Sequence, residues 1–106
     1  MYCTIKTIFS DKEVLVSEND GPYRKVSIFG MASFRVSPKR IGLGRLSLDL
    51  YKRFCEQKGK YAIMGFVKND SILSFYLKCG WFECGKFDGL KAISSKPVKA
   101  KFKERW

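Results

Sequence analysis

The 106-residue chain contains no histidine. Histidine is the side chain whose charge changes nearest neutral pH, so its absence excludes a Ser-His-Asp or Cys-His catalytic mechanism. Any proton transfer would have to use a carboxylate, a tyrosine, a cysteine, a lysine or bound water. A zinc site, likewise, would have to be built from thiolates and carboxylates alone.

The cysteines lack the spacing of a metal or redox motif. Cys3, Cys55, Cys79 and Cys84 include no C-x-x-C pair. A free cysteine otherwise behaves as a small buried hydrophobe. We therefore expect reduced thiols packed in the core and no metal site.

The chain also lacks a long apolar run. No segment approaches the roughly 20 apolar residues that a membrane-spanning helix needs. Residues 1–10 do not combine a basic region with an apolar stretch, as a secretory signal does. Since no internal repeat or linker is visible either, we expect a soluble, cytoplasmic protein in which residues 1–106 form a single compact domain.

Negative charge is scarce. The chain has 21 lysines and arginines against 10 aspartates and glutamates, which gives a formal net charge of +11. A field of this size attracts anions over a Debye length or more. One interpretation is an anionic ligand or partner, and the other is a generally solvated, lysine-rich surface.

Alternating and β-branched residues predict strands in the first third of the chain. Residues 3–17 are predicted to form a hairpin that turns at residues 10–12. A dense turn signal, ENDGP, follows at residues 18–22. Residues 23–36 predict one or two further strands, with Gly30 as a bulge or bend.

Two helices are predicted in the middle of the chain. Residues 43–58 predict an amphipathic helix that Gly59 ends. Residues 71–79 predict a second helix, which Gly80 ends. The apolar stripe of the first helix consists of Leu43, Leu46, Leu50 and Phe54, and the second helix can be capped by Asn69, Asp70 or Ser71.

Three further strands are predicted around the second helix. Residues 61–67 are almost uninterruptedly apolar, which is typical of a strand that is covered on both faces and central in its sheet. Residues 81–87 predict another strand. Residues 96–102 predict a last one, with lysines on one face and apolar residues on the other.

Residues 38–48, PKRIGLGRLSL, place two glycines just before the first predicted helix. The first N–H groups of a helix are unpaired and lie at the positive end of its dipole. Glycines let the backbone approach an anion, and Lys39, Arg40 and Arg45 add positive charge. The segment is either a phosphate-binding loop or an ordinary turn that contains glycines. Its spacing fits neither a P-loop nor the G-x-G-x-x-G of a dinucleotide fold.

The order of the motifs resembles the GNAT superfamily of acyl-CoA-dependent N-acyltransferases. The pyrophosphate loop of that family is usually written Q/R-x-x-G-x-G/A, and Lys39, Gly42 and Gly44 match it with lysine in the first place. The later signature of the family, an asparagine followed by a small helix ending in F-Y-x-x-x-G-F, is similar to NDSILSFYLKCGWF at residues 69–82. The resemblance covers about residues 28–88 and implies an α/β (α+β) fold with a mixed, mainly antiparallel GNAT-like sheet and two main helices.

The resemblance implies that acetyl-CoA is the acyl donor and that an acceptor amine attacks the thioester directly. The pantetheine arm would pair with the backbone of the strand that contains Phe34 and Val36, where this strand diverges from the strand of residues 63–67. Tyr76 would protonate the departing thiolate, although a core aromatic is the alternative interpretation of that residue. The implied cofactor-binding residues are Phe34, Val36, Lys39, Arg40, Ile41, Gly42, Leu43, Gly44, Arg45 and Asn69.

Two features depart from the family pattern. Lys39 lacks the amide or planar guanidinium group that the family has at this position. Fewer residues also precede the strand of Phe34 than in family members, which place a strand and two helices there. We therefore expect an acceptor site that is open, completed by a second subunit, or absent. The candidates for a general base are Glu13, Glu18 and Asp20, although surface carboxylates are usually solvating charges, and a chain of water molecules is the alternative.

Three functions remain open from the sequence. The first is an N-acetyltransferase, whose acceptor could be attached to an acidic protein or to RNA because of the positive charge of the chain. The second is a shortened GNAT fold that acts as a non-catalytic binding or inhibitory protein. The third is a basic nucleic-acid-binding module that uses Lys99, Lys101 and Lys103 beside Phe102 and Trp106. The number of aromatic residues also predicts a homodimer through the C-terminal strands.

Overall fold

The computed structural model describes residues 4–37 and 41–104, and among these it describes the backbone alone for residues 4–6, 33–37, 41 and 43. Six strands and two helices lie within these ranges, so the predicted mixed α/β (α+β) fold class is confirmed. Neither helix is long and apolar enough to cross a membrane. The elements are β1 (Thr4–Ser17), β2 (Arg24–Ser37), α1 (Ile41–Gln57), β3 (Ile63–Val67), α2 (Asp70–Lys78), β4 (Phe82–Phe87), β5 (Leu90–Ser94) and β6 (Lys99–Lys101).

The strands form one sheet in the order β4-β5-β3-β2-β1-β6. Neighbours are antiparallel except β2 and β3, which are parallel and are joined through α1. Parallel strands require such a crossover connection. The interior position of β3 agrees with its apolar sequence, and Ile63 and Met64 are fully buried.

The predicted hairpin within residues 3–17 is wrong, because β1 continues through residues 10–12, which pair with residues 28–30 of β2. The chain turns instead at the ENDGP signal, where Asn19 and Asp20 have positive φ angles of 51° and 58°. Polar residues in the middle of β1 are tolerated because alternate side chains of an outer strand face solvent. A local polar triplet therefore did not signal a turn.

The predicted bulge is displaced by two residues. The register of β1 and β2 shifts after Ile8, and Ala32 is the extra residue between the paired residues Met31 and Ser33. Gly30 stays in the ladder and pairs with both β1 and β3. A bulge leaves one residue unpaired. At Gly30 this would disturb pairing with both β1 and β3, whereas at Ala32 it disturbs pairing with β1 alone, because β2 no longer pairs with β3 there.

The sequence prediction missed β5. Asp88 and Gly89 both have positive φ angles, 53° and 78°, and form the tight turn between β4 and β5. Asp-Gly is among the favoured pairs for a two-residue hairpin turn, so this dipeptide was an available signal. The hairpin places β5 between β3 and β4 in the sheet.

Both helices pack on the same face of the sheet. The indole of Trp81 is almost completely buried there between α2 and the strands. This first core comprises Phe29, Met31, Leu48, Cys55, Ile63, Val67, Leu73, Tyr76, Cys79, Trp81 and Ile93.

The opposite face of the sheet is enclosed because the sheet curls, which brings its end strands β4 and β6 together. A Cβ added to Gly85 of β4 would lie only 2.8 Å from the carbonyl oxygen of Ala100 in β6. Because β4 and β6 are the two ends of the strand order, this approach shows that the sheet curls into a partly closed barrel. The ring of Phe102 closes the interior against Phe66, with centroids 5.0 Å apart. The second core comprises Val14, Val16, Val26, Ile28, Ala62, Met64, Cys84, Ala92 and Val98.

The leucine stripe that predicted α1 is not the buried face of the helix. Leu48 and Cys55 pack in the first core, whereas Leu46, Leu50 and Phe54 are 55%, 51% and 38% exposed. The periodicity of apolar residues identified the helix correctly. It did not show which of the two apolar arcs faces the sheet, because both arcs repeat at helical spacing.

α1 begins at Ile41, two residues before the predicted start at residue 43, so both Gly42 and Gly44 belong to its first turn. A Cβ on Gly44 would lie 3.0 Å from the ring carbon Cζ of Phe75 in α2, whereas a Cβ on Gly42 would have no heavy atom within 4 Å. Gly44 therefore permits the close contact between the two helices. Gly42 faces open space.

This difference predicts opposite responses to alanine at the two positions. We expect Gly42→Ala to stabilise the protein by up to about 1 kcal/mol, because glycine is a poor helix residue and the new methyl group meets nothing. In Gly44→Ala the same gain is offset or outweighed by the clash with Phe75. Urea unfolding of both variants measures the difference, and an equal stabilisation would contradict the helix contact.

The buried thiols give a second prediction. Burial raises the pKa of Cys55 and Cys79, and it raises the pKa of Cys84 to about 12. Because the thiolate is the reactive form, we expect iodoacetamide at about pH 8 to leave all three unmodified in the native protein and to modify them in denaturant. Peptide mass spectrometry gives the site-by-site result. Rapid native modification of Cys84 would contradict the curled sheet.

Candidate cofactor site

β2 and β3 are parallel but pair over a short length only. In the described residues two pairs join them, the second being Gly30 with Met64, although β2 continues to Ser37 and β3 to Val67. A Cβ on Gly65 would still lie 3.1 Å from a backbone oxygen of β2. Beyond this point the edge of β2 that faces β3 has no strand partner in the part of the chain that the structure describes. Its N–H and C=O groups can therefore pair with a ligand.

Both helices begin at this same edge of the sheet. β2 and β3 are parallel, α1 follows the end of β2, and α2 follows the end of β3. This edge is formed by the carboxyl ends of β2 and β3, and the carboxyl ends of the strands are where open α/β sheets bind ligands. The first turn of α1 contains no acidic residue, so no carboxylate of that turn neutralises the positive end of the helix dipole.

The structure describes only some of the predicted cofactor-binding residues. Phe34 and Val36 lie on β2 beyond the point of divergence, where the backbone is described and the side chains are not. Lys39 and Arg40 lie outside the described residues. The remaining members of the predicted phosphate-binding segment belong to the first turns of α1: Ile41, Gly42, Leu43, Gly44 and Arg45, of which Gly42 and Arg45 are exposed.

Asn69 caps α2, and it is one of the three residues that the sequence offered as the cap. Its side-chain Oδ1 accepts a hydrogen bond of 2.9 Å from the backbone N–H of Ile72. The helix ends before Gly80, which has a positive φ of 83°. The cap bond uses the carbonyl oxygen of the amide, so the N–H₂ group of Asn69 remains available to a ligand at the end of β3.

Tyr76 is buried in the first core and is only 5% exposed. Its ring packs against Trp81 and Phe75, at centroid distances of 5.6 Å and 5.7 Å. Burial raises the pKa of Tyr76 well above that of an ordinary tyrosine, so the phenol stays protonated through the neutral range. This environment agrees with a core aromatic, and it also keeps a proton on the group that the resemblance assigns as the acid.

Phe75 connects the two halves of the candidate site. Its ring touches the position of Gly44 in α1 and packs on Tyr76 in α2. Arg45 is near enough to Cys79 for its charge to lower the pKa of that thiol against the larger effect of burial. The sequence motif named Phe75 only as part of a signature. Its role as the contact between the helices follows from the structure.

Trp81 adds a buried polar group beside Tyr76. Its indole N–H has no hydrogen-bond acceptor among the described residues. Leaving a buried donor unpaired costs about 1–3 kcal/mol, so the site would be stabilised by an acceptor atom at this point. The ammonium group of Lys52 lies 5.9 Å from the centre of the same ring and donates to the carbonyl oxygen of Gly80 at 3.3 Å.

The candidate general bases lie at the other end of the molecule. They surround the turn between β1 and β2, whereas the candidate site follows the far end of β2. The structure therefore does not bring them together with Tyr76. Each is ion-paired: Glu13 with Lys25 at 3.7 Å, Glu18 with Arg24 at 3.4 Å and Asp20 with Lys99 at 2.6 Å.

The lysines of the last strand also lie at that distant end. Lys99 is ion-paired with Asp20, and the ammonium group of Lys101 lies 4.2 Å from the centre of the Tyr23 ring. A groove of 380 Å³ beside them is lined by three lysines and two glutamates, with Val14, Leu15 and Phe102 as its apolar part. The groove thus carries both signs of charge. The predicted contribution of Trp106 lies outside the described residues.

No group of three cysteine, aspartate or glutamate side chains within the described ranges is placed to hold a metal ion. Comparison of the chain with protein-family models, with curated proteins and with solved structures finds no match. The likeness to the GNAT superfamily therefore rests on the two sequence motifs, and the activity that it implies is a matter for proposal.

Proposed function

We propose that this chain is an N-acetyltransferase of the GNAT type, which moves the acetyl group of acetyl-CoA to an amine. The observation that carries the proposal is the divergence of β2 from β3 beside the N-terminal ends of α1 and α2. The described part of the first motif, residues 41–44, begins α1, and the second motif begins at Asn69, just before α2. Independent signals in the sequence and in the backbone thus coincide at one edge of the sheet.

The divergence suits the pantetheine arm. This arm is extended and carries two amide groups, so it can pair with an open strand edge as a peptide does in β-augmentation. The backbone of β2 from Ala32 to Ser37 would supply the complementary N–H and C=O groups. The N–H₂ group of Asn69 would bind the arm from the side of β3.

The first turn of α1 suits the diphosphate. The backbone N–H groups at the start of a helix and the positive end of its dipole stabilise phosphate oxygens. Gly42 leaves the approach to these groups clear, and Arg45 is exposed nearby. Gly44 does not share this role, because its missing side chain is explained by the contact with Phe75.

In the proposed reaction the acceptor nitrogen attacks the carbonyl carbon of the thioester. The C–S bond then breaks, the sulfur leaves as a thiolate, and the proton of the Tyr76 hydroxyl passes to it. The attacking nitrogen gives up a proton to water, since none of the candidate carboxylates is near Tyr76, and the Tyr76 phenolate then takes a proton from water. The raised pKa of Tyr76 does not forbid the transfer, because the same apolar surroundings also destabilise the thiolate relative to the thiol.

The charge of the chain bears on the acceptor. A net charge of +11 repels free polyamines and favours an amine carried by an acidic protein or by RNA. An acceptor of this kind would associate faster at low salt, because the attraction is screened beyond about 10 Å at 0.1 M.

Calorimetric titration with acetyl-CoA tests the cofactor site. We expect the wild-type protein to bind it and Gly42→Glu to bind it at least tenfold more weakly, because the new carboxylate would face the diphosphate. Glutamate in the first turn favours the helix dipole, so a loss of binding would not reflect unfolding. Gln57→Glu, with the same charge change at the far end of α1, should bind as the wild type does. No binding heat from the wild type at high micromolar acetyl-CoA would refute the assignment.

Replacing Tyr76 by phenylalanine tests its chemical role. The substitution keeps the ring packed and removes the hydroxyl, so we expect kcat to fall about 10²-fold or more while KM for acetyl-CoA changes little. Release of free CoA can be followed with a panel of probe amines, including acidic peptides with a free N-terminus and aminoacyl-tRNA. Equal kcat values in an active wild type and the variant would assign Tyr76 to the core alone. Matched thermal unfolding of the two proteins is the control.

A further inference from the structure

The end of the sheet that carries the turn between β1 and β2 has an exterior surface without a covering helix. Val14 and Val16 of β1 point into the second core, so Leu15 between them points to the exterior. Leu15 pairs with Lys25 of β2 and with Lys101 of β6, and residues that pair across strands share one side of the sheet. Neither helix approaches the backbone of β1 or β6 in the part of the chain that the structure describes. The exterior of these three strands is therefore open to solvent at this end.

Tyr23, the residue before β2, lies beside the lysines of this surface. The ammonium group of Lys101 is 4.2 Å from the centre of the Tyr23 ring. The hydrogen bond and the charge of Asp20 raise the pKa of Lys99, and Tyr23 contributes in the same direction, so its hydroxyl group is near that lysine as well. The ring is nevertheless 40% exposed. We call this surface the open face, and its members are Leu15, Tyr23, Lys25, Lys99, Lys101 and Lys103.

The positive charge of the open face is only partly neutralised. Each carboxylate around it has one lysine partner: Glu13 pairs with Lys25, Asp20 with Lys99, and Glu104 with Lys12. Lys101 and Lys103 are exposed and have no carboxylate partner among the residues that the structure describes. An anion can therefore bind these two ammonium groups without breaking an ion pair.

The groove of 380 Å³ lies on the open face. It is present where the chain leaves β1 after Lys101, because Phe102 packs on Phe66 at 5.0 Å instead of continuing along the strand. Phe102, which the sequence suggested as the aromatic partner of these lysines, is thus used in closing the second core. Tyr23 is the exposed ring that the lysines contact.

We infer that the open face binds a single-stranded nucleic acid. A base stacks on the exposed ring of Tyr23, and Lys101 and Lys103 bind phosphates of the backbone. An ammonium group has three N–H donors, so Lys101 can stay at the tyrosine ring while it donates to a phosphate. Sheet surfaces that combine aromatic rings with positive charge bind single strands in this way. The inference does not rest on the proposed acetyl transfer, because the open face lies at the opposite end of β2 from the candidate cofactor site.

The two glutamates that line the groove favour a nucleic acid over an acidic peptide. Carboxylates of such a peptide would meet Glu13 and Glu104, and like charges across an interface repel. Nucleic-acid bases instead carry exocyclic amino groups, from which a glutamate accepts hydrogen bonds. Bases also supply the flat rings that stack on tyrosine. A duplex engages these amino groups and ring faces within itself, so the ligand that fits the open face is a single strand.

Fluorescence anisotropy of a labelled oligonucleotide tests the inference. We expect the wild-type protein to bind a single strand of mixed sequence and about 12 nucleotides with micromolar affinity at about 50 mM salt. The logarithm of the association constant should fall with the logarithm of the salt concentration at a slope of about −1.4, since each phosphate bound in a single strand contributes about −0.7. No change in anisotropy at high micromolar protein would overturn the inference.

A charge-matched pair of variants locates the surface. We expect the double variant Lys101→Gln and Lys103→Gln to bind at least about tenfold more weakly at low salt and to lose most of the salt dependence. The double variant Lys68→Gln and Lys78→Gln has the same net charge, and its substitutions are exposed and lie near the two ends of α2. It should bind as the wild type does. Equal weakening by the two double variants would mean that binding follows net charge alone, and would overturn the inference.

Substitution of Tyr23 tests the stacking contact. Tyr23→Leu keeps an apolar side chain but removes the ring, so we expect binding to weaken about tenfold while the salt slope stays unchanged. Tyr23→Phe keeps the ring and should bind as the wild type does. Matched thermal unfolding of the three proteins is the control for folding. Weakening by phenylalanine equal to that by leucine would exclude stacking on this ring.

Competition with unlabelled polymers tests the class of ligand. We expect the unlabelled single strand to displace the labelled one, and a duplex of the same sequence and polyglutamate of matched charge to displace it at least about tenfold less effectively. Equal competition by polyglutamate would make the open face a site for anions in general. Equal competition by the duplex would show that no base is bound, and either result would overturn the inference.

Discussion

The short parallel pairing of β2 and β3 is the constraint on which the rest of the structure depends. The two strands share two residue pairs and then separate, while β2 remains paired with β1 and β3 with β5. Each strand thus keeps one complete set of backbone hydrogen bonds, which is why the separation costs little. Because the strands are parallel, α1 and α2 both start at the edge where the separation opens. An open strand edge and two helix starts are consequences of one topological feature.

The candidate site and the hydrophobic core are built from the same residues. Tyr76, Trp81 and Phe75 hold α2 against the sheet and against the first turn of α1, and Gly44 allows that contact. A substitution that removes volume here would disturb packing and any bound ligand together. Effects on ligand binding can be separated from effects on stability by substitutions that keep the ring of Tyr76 or that face open space, as at Gly42. On the other side of the sheet the curl at Gly85 closes a second core that takes no part in the site.

The sequence predicted those features that depend on local periodicity and on helix ends. The two helices, the central strand β3, and the helix-ending glycines at 59 and 80 were all visible as patterns of a few residues. Features that depend on partners distant in sequence were not predicted. A polar triplet in β1 looked like a turn because its pairing with β2 cannot be seen locally, and the bulge is at Ala32 because β2 leaves β3 there. The candidate site was predictable as two motifs, whereas the ring of Phe75 that joins them was not.

α1 shows most clearly how far a sequence pattern can be interpreted. Its apolar residues occupy two arcs, one with Leu48 and Cys55 and the other with Leu46, Leu50 and Phe54. A helix that packs on a single neighbour needs only one such arc, since the other face meets water. The sheet and α2 account for the first arc. The second arc has the same helical spacing, and Phe54 at its edge packs on Phe9 and Phe29, whereas Leu46 and Leu50 are about half exposed. The periodicity therefore identifies the helix but not its buried face, because the burial of one arc depends on the sheet and α2, which are distant in sequence.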